Sequence, residues 1–199
     1  FFTGLLLVFL SGIQPAAADL RTRIVVLPFY AEQGRDVDTG YSNDGLHYRR
    51  MSGFIENHLV DHDFEVIDPF ARDGVEKEFS RLMERAREDS SLACMDMAGR
   101  YAADVVYLVW LEVRARKTED GYWKASAVVT GKGYDSAGRS LGVSILETFK
   151  VTRRDFSQAV ALVEKEAGDA VGLKLTRWRR SPDGDHFMSA LGNDPNRLK

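Results

Sequence analysis

One cysteine in 199 residues rules out an internal disulfide, and four histidines leave little imidazole for catalysis or metal binding. Cys94, in SLACMDMAGRY, reads as a small buried hydrophobe on a helix face, with an intermolecular bridge as the alternative. An excess of positive charge is also missing. The 27 basic and 30 acidic residues are interspersed, and a net charge of −3 gives no case for nucleic acid or for general membrane adhesion. Apolar runs long enough to span a bilayer as a helix are absent. Catalytic signatures are equally scarce. No serine sits in a G-x-S-x-G elbow, and Gly131-Lys132-Gly133 lacks the strand–loop–helix setting of a phosphate loop. Glycines inside a strand mark a bulge or a close approach instead.

What is present begins with Phe1–Ala18, FFTGLLLVFLSGIQPAAA: an apolar block, Pro15, and an A-x-A-type run ending at Ala18. This is the pattern of a secretory signal with its cleavage site, so residues 1–18 are expected to be removed. The expected compartment is the bacterial periplasm, with no stable membrane anchor after cleavage. Residues 19–180 then read as a single domain and 181–199 as a flexible polar tail.

The most continuously apolar stretch of that domain is Ala103–Arg116, ADVVYLVWLEVRAR. Its Val, Tyr and Trp favour a strand, and unbroken apolarity from Val105 to Leu111 predicts cover on both faces. Arg21–Phe29 and Phe64–Asp68 are further strands, each expected to stop at its proline, Pro28 and Pro69. Trp123–Tyr134 and Leu141–Val151 alternate apolar and polar residues, joined by turns at Glu119-Asp120-Gly121 and Asp135–Gly138. Helical spacing predicts helices over Leu46–His62, Val75–Arg87, Ser91–Tyr101 and Arg154–Trp178. The order is β-α-β-α-β-β-β-α: an α/β chain bordering on α+β, with one mixed sheet of about five strands packed with amphipathic helices.

Several of these segments carry a resemblance. Ile24-Val25-Val26-Leu27-Pro28-Phe29, Phe64-Glu65-Val66-Ile67-Asp68, Ala102-Ala103-Asp104-Val105-Val106-Tyr107-Leu108 and Tyr134-Asp135-Ser136-Ala137-Gly138-Arg139-Ser140-Leu141 fall in the order of a known pattern. It resembles the small α/β domain shared by the TolB amino-terminal domain, the curli secretion protein CsgG and the penicillin-binding-protein activator LpoB. The chain departs from the pattern at Ala102, where glycine is usual before Ala-Asp. The resemblance implies a non-catalytic envelope module that binds another protein and needs no cofactor.

Candidate sites are few. His58 and His62 stand at i, i+4 on one helix, a zinc-compatible spacing, but Leu59 replaces the glutamate of a zinc-protease helix. Asp36 and Asp38 open a run of alternating oxygen side chains like the start of a calcium loop, yet Tyr41 and His47 stand where an EF-hand requires Gly and Glu. No metal is therefore expected. The Tyr30–Gly45 loop follows the first strand at the carboxyl edge of the parallel part, where open α/β sheets bind ligands. Partner contacts are accordingly expected from Tyr30, Asp36, Asp38, Tyr41 and Asn43. A second set is Arg177, Trp178, Arg179 and Arg180, if the tryptophan is not simply packed on the sheet. The hairpin face bearing Lys124, Ser126, Thr130 and Lys132 is either solvated or an interaction face, depending on whether a helix covers it. The partner would be another envelope protein or a second copy; a periplasmic small-ligand or metal-binding protein is the alternative reading.

Overall fold

The computed structural model describes residues 21–33, 45–69 and 75–192. Residues 1–20, read above as a secretory signal and the two residues after it, 34–44 with Asp36, Asp38, Tyr41 and Asn43, 70–74 and 193–199 lie outside them. Strands β1 (Thr22–Gln33), β2 (Phe64–Val66), β3 (Val105–Lys117), β4 (Trp123–Asp135) and β5 (Ser140–Arg153) form one mixed sheet in the order β2-β1-β3-β4-β5. β1 pairs in parallel with β2 and β3, and the two hairpins extend the sheet antiparallel. The stretch around Val105–Leu111 is thus the central strand, as its composition requires. Val105 to Val109 are buried without a break because helices lie on both sides.

Helices α1 (Gly45–Leu59) and α4 (Phe156–Arg179) cover one face. Met51, Ile55 and Leu59 of α1 and Val160, Val163, Val171 and Leu175 of α4 pack there on Ile24, Val26, Tyr107, Val109, Leu111, Ala127 and Val129. The two helices can lie close because Gly168 and Gly172 face α1: a Cβ on either would come within 2.6 Å of the Cβ of Phe54 or of His58. Helices α2 (Val75–Glu88) and α3 (Ser90–Tyr101) cover the other face, but only part of it. Met83, Ala86, Ala93, Cys94, Met97 and Ala98 meet Val25, Leu27, Phe29, Val106, Leu108 and Tyr134. Ser91 of α3 donates to the Gly138 carbonyl in the β4–β5 turn at 2.6 Å. Beyond that point no described helix covers this face of the sheet.

Four local outcomes differ from expectation. β1 does not stop at Pro28 but runs to Gln33 beside β3. The carbonyl of Ile24 accepts from Ile67 and that of Arg23 from Asp104, so even-numbered residues of β1 turn their backbone groups toward β2. β2 ends at Val66, and the N–H that Pro28 lacks would have pointed to a side where no described strand pairs. β2 itself stops two residues before Asp68, and α1 stops at Leu59, where the chain turns through Asp63 at φ 62°. In the region read as a tail, Pro182–Gly192 forms helix α5. Pro182 occupies a first-turn position that needs no N–H, the Ser181 hydroxyl accepts from Gly184 N, and Phe187 packs on Trp178 at 5.5 Å between ring centroids.

Ala102 takes a backbone conformation that favours glycine. It caps α3 in the left-handed region at φ 49°, ψ 42°, where a Cβ is crowded. Ala102→Gly is therefore expected to stabilise the fold by about 0.5–1 kcal/mol, read as a higher urea midpoint at unchanged m-value. A lower midpoint would show that the unfolded chain's added freedom outweighs the relieved strain.

Candidate functional site

The part of that sheet face that no described helix covers is built by β3, β4 and β5. Alternation along each strand sends odd-numbered residues to α1 and α4 and even-numbered ones outward. Register then assembles the outward residues into rows. Arg116 lies opposite Lys124, which lies opposite Thr152; the next row is Arg114, Ser126 and Lys150. These six positions line a groove of ≈560 Å³ and place four cations together on a chain of net charge −3. Among the described residues the one carboxylate paired with them is Glu112, 3.9 Å from Arg114 Nη2. Arg116, Lys124 and Lys150 have no ion-pair partner among the described residues. Like charges directly across a strand pair repel, so Arg116 against Lys124 weakens the sheet that carries them. Beside the groove stand exposed apolar side chains: Val128, 37 % accessible, and Leu146, 75 % accessible.

Chemically, the groove offers cations and hydroxyls. It can hold an anion, but its six outward residues include no carboxylate, imidazole or thiol to activate a nucleophile. Of these residues, sequence alternation identified Lys124 and Ser126. Arg114, Arg116 and Lys150 escaped notice, although the Val-Arg-Ala-Arg-Lys alternation ending β3 marks Arg114 and Arg116 as sharing one face.

The expected partner residues are placed as follows. Tyr30 is buried in the core under α1 and α4. Trp178 is also buried, against Phe187, and its Nε1 finds no acceptor among the described residues. Arg177 is exposed, Arg179 reaches Asp185 at 4.0 Å, and Arg180 approaches His62 Nδ1 at 3.4 Å. The two histidines turn to different partners. His58 Nε2 meets Asp169 of α4 at 3.2 Å, while His62 Nδ1 lies 2.7 Å from the Asp61 carbonyl, to which it donates. Among the described residues, no three or more of His, Cys, Asp and Glu gather as they would around a metal ion. Nor is any described helix long and apolar enough to cross a membrane.

Gly131 and Gly133 have a structural explanation. A Cβ at Gly131 would meet the Tyr107 ring at 2.8 Å, and one at Gly133 would meet Val143 at 2.6 Å. The β4–β5 register shifts between Lys132 and Tyr134, so the segment is both a bulge and a seat for Tyr107. Burial pushes the Tyr107 phenol up and the Cys94 thiol up to about 12. At pH 8 such a thiol holds roughly three powers of ten less thiolate than a cysteine of pKa about 8.5. Cys94 is expected to resist iodoacetamide in the native protein and to react fully in denaturant, as mass spectrometry would read. Native labelling at an ordinary thiol rate would place Cys94 on the surface.

Glu56 on α1 is a second perturbed group. Burial, then the neighbouring Asp68 charge, raises its carboxyl above the usual range. The native state therefore holds this proton more tightly than the unfolded chain, and stability is lost as pH rises through the raised value. Glu56→Gln is expected to raise the urea midpoint at pH 7, with the gain shrinking as pH falls to about 3, where both states of the wild type are protonated. A gain that persists undiminished in acid would assign the effect to packing instead.

No model of a known protein family matches the sequence, and no characterised protein matches it either. Solved structures do. Lipoprotein GNA1162 from Neisseria meningitidis is 13 % identical at a TM-score of 0.48, over 80 % of this chain and 99 % of that one. The hypothetical protein CT253 from Chlamydia trachomatis is 12 % identical at 0.42, over 79 % and 98 %. PelC from Paraburkholderia phytofirmans, solved as a dodecamer, is 14 % identical at 0.38, over 76 % and 86 %. These are distant likenesses in fold, from which no activity or partner passes to this chain. The resemblance to bacterial lipoproteins is broad and is not specific to the TolB amino-terminal domain, CsgG or LpoB.

Proposed function

We propose that this is a non-enzymatic protein of the bacterial envelope that works by binding another protein through the open face of β3–β5. One observation carries the reading: among the described residues no helix covers the β3–β5 part of one sheet face, and that part presents cations set against one another in register. Repulsion of that kind is retained at a cost to the sheet, and it is relieved when an anionic surface covers it. Export rests on the apolar leader and the Ala16–Ala18 run, and it makes the periplasm the place of action. The ligand-binding alternative loses ground because His58 is engaged by Asp169.

The test is a photo-crosslinking amino acid placed at Ser126 on the open face or at Leu173, an exposed position on α4. An adduct with one protein is expected from Ser126 in intact cells and not from Leu173, and it should disappear in Arg116→Glu/Lys124→Glu. Equal adducts from both positions, or none from Ser126, would overturn the reading. Detection of the mature chain in a cytoplasmic fraction only would overturn the export.

A further inference from the structure

We infer that the groove formed by Arg114, Arg116, Lys124, Ser126, Lys150 and Thr152 receives an extended acidic segment of the partner protein; this rests on the reading above and names the chemistry of the partner. Charge complementarity commits the occupant. Four cations occupy six adjacent positions, and three of them have no ion-pair partner among the described residues. The spacing fits an extended chain. Arg114 and Arg116 project from one strand at i, i+2, about 6.6–6.8 Å apart, and neighbouring strands lie about 4.8 Å apart. Alternate side chains of an extended segment repeat at the same 6–7 Å, so carboxylates at every second residue meet successive cations.

The surroundings select a peptide over other anions. Val128 follows Ser126 at i+2 on the same face, and Leu146 lies outward on β5 beyond Lys150. A segment that is acidic over the groove and apolar beyond it therefore finds both its halves matched, which a free phosphate would not. A bilayer presents a plane of headgroups, and a groove between side-chain rows matches a chain better than a plane. Thr152 adds a hydroxyl donor to carboxylate oxygens that the cations hold, while the Ser126 hydroxyl donates to the Arg114 carbonyl at 3.5 Å.

The experiment is fluorescence anisotropy with the full mature chain and a labelled peptide of alternating Glu and Thr, using the alternating Lys-Thr peptide as the opposite-charge control. Arg116→Glu/Lys124→Glu is compared with Lys165→Glu/Lys174→Glu, an equal change of net charge placed on exposed positions of α4. The acidic peptide is expected to bind the wild type, to lose affinity by about tenfold or more in the groove variant, and to change by less than about twofold in the α4 variant. Affinity should fall as salt rises, since the groove is solvent-facing. Should the charge reversal not fold, Arg116→Gln/Lys124→Gln is expected to lose about threefold, half the charge change having been made.

Equal losses in both variants would reduce the effect to bulk charge and overturn the inference. So would binding to phosphatidylglycerol vesicles that depends on Arg116 and Lys124 and that the peptide does not compete. A wild-type dimer converted to monomer by the groove variant would assign the face to a second copy, which also overturns it. If the peptide fails to bind while the Ser126 crosslink persists, the open face remains an interface and only its acidic partner is lost.

Discussion

Replacing Gly172 by valine is expected to destabilise the protein by about 2–3 kcal/mol, because a rigid branched side chain has nowhere to go between α1 and α4. The first added atom already lies 2.6 Å from His58 Cβ and 2.9 Å from its Cγ. Both neighbours sit at the root of their side chain, so rotation of His58 cannot clear them and the helices must separate. Separation lifts Met51, Ile55 and Leu59 from the sheet and pulls His58 away from Asp169. The internal comparison is Gly53→Ala on α1, where an added Cβ meets nothing within 4 Å. There the ordinary helix preference operates alone and is expected to stabilise by about 0.5–1 kcal/mol. Urea denaturation of Gly172→Ala, Gly172→Val and Gly53→Ala reads the contrast directly. A gain from alanine at both glycines would mean that α1 and α4 are not in close contact.

That pair of glycines also shows what a sequence withholds. The apolar stripe Val160, Val163, Val171 and Leu175 is legible from its 3.6-residue period, and so is the sheet-facing side of α4. Gly168 and Gly172 interrupt no period, and only the position of α1 gives them a purpose. The same division runs through the sheet. Val105–Leu111 is readable as the central strand because burial on both faces leaves an unbroken apolar run. Pro28 was misleading because a proline removes a donor on one side of a strand only, and which side is empty depends on where β2 ends. The groove is the extreme case. Arg114, Arg116, Lys124 and Lys150 are spread over three strands, and their meeting is a consequence of register. Alternation showed that Lys124 and Ser126 share a face; it could not show that α3 stops short of covering it. Pro182–Gly192 was obscured for a related reason: its helix is short and polar, held by a serine cap and by one aromatic contact whose partner, Trp178, was itself weighed as a surface residue.

The second large effect lies at the same helix pair and separates stability from the open face. Glu164 of α4 is 1 % exposed, and Arg50 of α1, about a third exposed, donates to its Oε2 at 2.9 Å. A carboxylate this dry depends on its cation, so Arg50→Met is expected to cost about 2–3 kcal/mol, toward the low end for a buried pair because water reaches the arginine side. Removing both charges together, in Arg50→Met/Glu164→Leu, is expected to return stability to within about 1 kcal/mol of wild type, since apolar replacement spares both desolvation penalties. The double-mutant cycle in urea measures the coupling. If Arg50→Met alone is neutral, the contact contributes nothing and Glu164 is sustained by its other surroundings. Because α1 packs on the face of the sheet opposite the groove, the single variant should bind the Glu-Thr peptide with wild-type affinity wherever it remains folded. Lost binding in a folded Arg50→Met protein would show that α1 positions the strands that carry Arg116 and Lys124.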